Sequence, residues 1–142
     1  MEISEVRRRL IHRMDQARRE GVAQREAVGA AREDFDRFLA HVATPVFRQV
    51  HGALKAERLR FTLSTPAGSV QLSLDGAPDD AISVELDTAS RPPSVIGRAT
   101  FTRGRRVESV ERPLRAGAAV AELTDEDVLE FILSQIGPFV ER

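Results

Sequence analysis

Apolar or small residues recur at alternating steps of four and three from residue 3 to residue 42. They are Ile3, Leu10, Met14, Ala17, Gly21, Val28, Ala31, Phe35, Phe38 and Val42, with Arg7 and Gln24 as polar exceptions in the same register. No proline interrupts this span and strong helix formers dominate it. The pattern predicts a long helix over residues 1–43 with a coiled-coil-like seam. The seam is thin in its middle, where Gly21, Gln24 and Ala31 supply little apolar area. Thr44-Pro45 then reads as a fresh helix start, or as a kink in a continuing one. The second helix is expected over residues 45–57, with Val46, Phe47, Val50 and Leu54 along one side.

From Leu59 the period drops to two. Leu59, Phe61 and Leu63 alternate with polar residues, as do Val70, Leu72 and Leu74, and then Ile82, Val84 and Leu86. Thr65-Pro66-Ala67-Gly68 separates the first two runs, and residues 75–80 read as a loop before the third. Val95, Gly97, Ala99 and Phe101 share one face of a fourth strand. Arg103-Gly104 marks a tight turn, and residues 105–111 return as a fifth strand. Val107 and Val110 are three apart there, which suggests a bulge. These alternations predict an antiparallel meander over residues 59–111 with one buried face. Phe61, Leu63, Val70, Leu72, Leu74, Ile82, Val84 and Leu86 are expected on that face. Residues 113–123 look irregular. Thr124, with Asp127 three residues on, begins a helix expected over residues 124–137 and stopped by Gly137-Pro138. Leu129, Ile132, Leu133 and Ile136 are expected to be buried by it.

The fold class is therefore α+β, a single domain over residues 1–142. It has a long N-terminal helix and a second helix, a five-stranded antiparallel meander, and a C-terminal helix packed on the sheet.

Length adds a constraint. A compact domain of 142 residues is roughly 37 Å across. A continuous helix over residues 3–42 would run about 60 Å. Either the helix breaks near Gly21 and folds back, or its N-terminal half projects. Projection would expose Ile3, Val6, Leu10, Ile11, Met14 and Ala17, an apolar patch that soluble monomers avoid. These six residues are the expected interface of a homodimer. Its polarity stays open: a parallel pair sets Glu20 against Arg25 but Arg13 against Arg18. An antiparallel pair brings the edge of Arg18, Arg25 and Arg32 near its copy.

Composition removes several chemistries. The chain has no cysteine, so disulfide scaffolds, thiolate nucleophiles and Cys-bound metals are excluded. The net charge of −1 divides into a mildly basic front and a mildly acidic back, too weak to demand nucleic acid or a membrane surface. Lys55 is the one lysine among 21 basic residues, a usage that fits a GC-rich, bacterial genome. No apolar run approaches the roughly 20 residues of a membrane span, and none resembles a leader. The cytoplasm is the expected compartment.

Candidate chemistry is sparse. His12, His41 and His51 are isolated; on one straight helix His41 and His51 would lie about 15 Å apart, too far to share a metal. Asp79-Asp80 reads as turn chemistry. No catalytic residue, metal site or cofactor is assigned. Arg103, Arg105 and Arg106 at a hairpin tip are candidates for contact with an anionic partner. Nucleic acid is disfavoured because Glu108 and Glu111 follow and aromatics to stack bases are few. The expected function is a non-enzymatic interaction or adaptor protein. It would be homodimeric through its first helix and would bind a further, unidentified protein. The alternative is a small-molecule or apolar-ligand module with a pocket between sheet and helices.

Overall fold

Helix α1 (Ile3–Phe38) runs without a break past Gly21, and the helical path continues beyond it through Pro45. A computed structural model describes residues 1–141, and in it the chain stays helical through residues 39–43 into α2 (Thr44–Ala56). Of the two readings of Thr44-Pro45, the fresh start is corrected and the continuing helix holds. Thr44 has helical backbone angles, caps nothing and is buried. Proline is tolerated because residues 39–43 form one wide π turn, in which Thr44 N–H donates to the Leu39 carbonyl five residues back. The wider turn relieves the clash between a proline ring and the carbonyl four residues earlier.

Five strands follow: β1 (Phe61–Ser64), β2 (Ser69–Leu74), β3 (Ala77–Asp87), β4 (Ser94–Arg103) and β5 (Arg106–Pro113). They form one antiparallel sheet in the order β1-β2-β3-β4-β5. A short 3₁₀ turn (Val120–Glu122) then leads to α3 (Asp125–Gln135) and a single-turn α4 (Gly137–Val140). Thr124 and Asp127 make the reciprocal cap read from the sequence. Among the described residues, no helix is long and apolar enough to cross a membrane.

The alternating residues do face the helices. Phe61, Val70, Leu72, Ile82 and Val84 are buried, while Leu63, Leu74 and Leu86 at the margins are half-buried. Helix α2 packs on β1 and β2, and α3 covers β4. All seven phenylalanines lie in this interior, so no ring is left on the surface.

Four local expectations change. Leu133 is 62% exposed, because α3 docks only the face carrying Val128, Phe131 and Ile132, and nothing covers its far side. The segment after β5 is irregular as expected apart from one 3₁₀ turn, though it buries Val120 and Leu123; the change lies beyond Gly137, where the α4 turn sends Phe139 into the core, 5.1 Å from Phe101. Strand β5 pairs with β4 without a bulge; it is exposed on both faces, so its apolar spacing carries no register information. The irregularity sits instead at Ser73/Leu74, where Pro78, Asp79 and Asp80 of β3 have no partners in β2.

That bulge corrects the assignment of Asp80 to a loop as turn chemistry. Asp80 belongs to β3 and is 1% exposed. The β3–β4 ladder begins only at Ala81↔Thr100, so the Thr102 N–H lies beyond it. The Asp80 Oδ1 takes that N–H at 3.0 Å and the Thr102 hydroxyl at 2.8 Å. Removing it strands a part-buried amide, at a cost of about 2–3 kcal/mol. Asp80→Ala should therefore lower the melting temperature by roughly 5–10 °C. Asp80→Asn, which keeps the acceptor oxygen, should lose less; equal melting temperatures for the two variants would count against this account.

Candidate functional site

The most conspicuous surface feature is the front of α1. From Ile3 to Glu20 every residue is exposed except the half-buried Glu5. Ile3 is 87% exposed and Leu10 57%, and Val6, Ile11 and Met14 stand open beside them, as does Ala17. At 1.5 Å per residue this overhang is about 27 Å long. The expectation of a projecting half therefore holds over the fold-back at Gly21.

The sequence of burial along the seam shows where the body begins. Gly21 is the first half-buried seam position. At Gln24 the side-chain Nε2 donates to the Thr88 and Ser90 carbonyls, each at 3.1 Å, and so ties the helix to the β3–β4 connection. The polar exception in the seam thus has a partner on the domain. Val28 and Ala31 are half-buried, and Phe35 and Phe38 are fully buried. One continuous stripe is therefore docked on its own domain behind Gln24 and uncovered in front of it. Six of the overhang's charges pair within the helix, Arg9 with Glu5 at 2.9 Å, Arg18 with Asp15 at 3.3 Å, and Arg13 with Glu20 at 3.9 Å.

The arginine hairpin is less of a cluster than its spacing suggested. Gly104, at φ +60°, takes the first position of a two-residue turn with Arg105. Arg103 reaches Glu141 at 4.0 Å and lies over the Phe101 ring at 5.9 Å. Arg106 is its cross-strand partner, and Arg105 sits at the tip. Arg98 is not near the tip; it is held by Glu85 at 2.8 Å and Glu111 at 2.9 Å.

His12 lies on the overhang and His41 in an open groove beside Asp34 and Arg37. Among the described residues, no three His, Asp or Glu side chains are grouped to hold a metal ion. A shallow groove between α2 and the start of α3 has Val46, Val50, Ala53 and Leu129 in its lining, with Asp125 and Glu126 at its edge.

Sequence reasoning missed one place. Helix α2 ends in a paired-bond cap: Leu59 N–H donates to the Leu54 carbonyl at 2.9 Å, and Arg58 N–H to the Lys55 carbonyl at 3.0 Å. Such a cap puts its penultimate residue in the left-handed region, normally a glycine. Here that residue is Arg58, at φ +63°. Its conformation costs about 1 kcal/mol relative to glycine. Beside it a pocket of about 480 Å³ is lined by His51, Lys55, Arg58, Leu59, Arg60, Phe61 and Asp75. The signal was present: a helix end and a strand start joined through Glu57-Arg58-Leu59-Arg60, with no glycine or asparagine to take the left-handed position.

No protein-family model, curated protein or solved structure matches the chain.

Proposed function

We propose that this chain is a self-associating interaction protein whose α1 overhang is the docking element. The observation that carries this is the apolar stripe that leaves the body at Gly21 with Ile3, Val6, Leu10, Ile11 and Met14 uncovered. Burying such a patch is the main favourable term in association.

The body supports one polarity over the other. Behind Gln24 the seam face is occupied by the domain itself. In a parallel pair the partner helix would have to run through that occupied space. In an antiparallel pair the two overhangs overlap only with each other, and the bodies lie at opposite ends. The overlap is self-complementary. Leu10 falls opposite Met14 of the second copy, and Ile3 opposite Gly21, where the exposed Arg25 side chain, 3.5 Å from the position of a Cβ, would move aside for it. Arg7 falls opposite Ala17, so its stem can lie along the helix. Ile11, off the main stripe, meets its own copy across the two-fold axis. Arg18 comes beside Ser4 rather than another arginine, and Arg25 and Arg32 lie outside the overlap. Arg13 does face its copy, but each has Glu20 within 3.9 Å.

Adaptor activity is the second half of the proposal. Two bodies held apart at the ends of a helix pair present two copies of the hairpin with Arg103, Arg105 and Arg106, suited to an acidic protein partner. The proposed compartment is the cytoplasm, where a cysteine-free chain needs no oxidising environment.

Light scattering at micromolar concentration should give twice the chain mass of 15.7 kDa; the monomer mass would end the proposal. The cysteine-free background makes polarity directly testable. Ile11→Cys should form an intermolecular disulfide under mild oxidation and Ile3→Cys should not. Crosslinking at Ile3 alone would mean a parallel pair.

A further inference from the structure

We infer that the pocket at the C-terminal end of α2 binds a small phosphate-bearing solute. Its lining brings three basic side chains, Lys55, Arg58 and Arg60, and the imidazole of His51 together against one carboxylate, Asp75. Asp75 already accepts a hydrogen bond from the Thr62 hydroxyl at 2.5 Å. None of the three cations makes an ion pair among the described residues, so their donors are open to a solute. His51 Nε2–H donates to the Phe61 carbonyl at 2.9 Å, which fixes the ring at the pocket wall. The volume of about 480 Å³ lies within the range of small-ligand sites.

Arg58 distinguishes this pocket from an ordinary basic surface. A cation near a helix C-terminus complements the helix dipole, and that suffices to explain Lys55. It does not explain an arginine in the left-handed position of the cap, where glycine would fold better. A side chain held in an unfavourable conformation points to a use for the side chain itself. A guanidinium offers paired N–H donors matched to phosphate oxygens, with Lys55 and Arg60 as flanking charges. The bound group is therefore an oxyanion of the phosphate class on a solute small enough to enter.

Two readouts on the full chain test this together. Pyrophosphate, titrated at constant ionic strength and followed by amide NMR shifts, should move residues 51–61 and Asp75 saturably. Arg58→Gly should raise the melting temperature by roughly 3 °C while weakening pyrophosphate binding about fivefold or more. Arg60→Ala should weaken binding without that gain in stability. Three results would overturn the inference: shifts that spread over the arginines of α1 without saturating, unchanged affinity in Arg58→Gly, or a lowered melting temperature in that variant.

Discussion

Gly97→Val should abolish the cooperative unfolding transition, and Gly97→Ala should cost about 3 kcal/mol. Gly97 lies in β4 on the face toward α3, and a Cβ there would stand 2.5 Å from two ring atoms of Phe131 and 2.6 Å from a third. The ring cannot swing away. Phe131 is fully buried, and the Arg112 guanidinium lies over it at 5.3 Å while Arg112 Nη2 donates to Ser134 at 2.7 Å. The missing side chain at Gly97 is what lets α3 approach the sheet, and that approach sets the thickness of the core. For a domain of this size, about 3 kcal/mol lowers the melting temperature by roughly 6–12 °C. The sign of this prediction is informative. With no neighbour in the way, alanine in a strand is favoured over glycine by about 0.5–1 kcal/mol. Gly97→Ala should therefore be less harmful when Phe131 is also cut to leucine, with a coupling of about 1 kcal/mol or more. Additive losses in a double-mutant cycle would show that the contact is not the cause.

Gly97 also shows what the sequence makes legible. Its place on the buried face follows from two-residue alternation with Val95, Ala99 and Phe101. Its necessity does not, because that depends on Phe131, brought in by a helix that begins 28 residues later. The same division runs through the molecule. Alternation works in β1 to β4, where one face is buried, and fails in β5, where neither face is and where inward-facing Glu108 and Arg112 guard an open edge. Pro78-Asp79-Asp80 carries the chemistry of a turn but forms the unpaired part of a strand, since a bulge uses the same residue types and Asp80 then finds a buried amide. Thr44-Pro45 has the signature of a helix start, yet a proline can also be absorbed by one widened turn, which no local motif announces. Of the candidate sites, the overhang was legible because helix length and domain diameter are both simple functions of residue number. The Arg58 pocket was not, because its lining joins a helix end, a strand start and a turn from the next strand.

The overhang should be separable from the rest of the protein. The double variant Leu10→Asp, Met14→Asp is expected to weaken self-association roughly a hundredfold or more, since two charges per chain would have to be buried without partners. The same variant should leave the fold intact. Before Gly21 no residue of α1 is buried, and the first tie to the body is Gln24 with Thr88 and Ser90. A merely structural role for Leu10 and Met14 would predict the reverse, a destabilised body with unchanged mass. Concentration provides an independent check. A dimer that forms from folded chains gains stability by mass action, so the wild-type melting temperature should rise with protein concentration. In the double variant that dependence should vanish, while the melting temperature stays at the dilute wild-type value. A loss of the body's transition would mean that the front of α1 is part of the core, and a variant that remains dimeric would place the contact elsewhere. Leu133 on the open face of α3 would then be the next apolar position to probe.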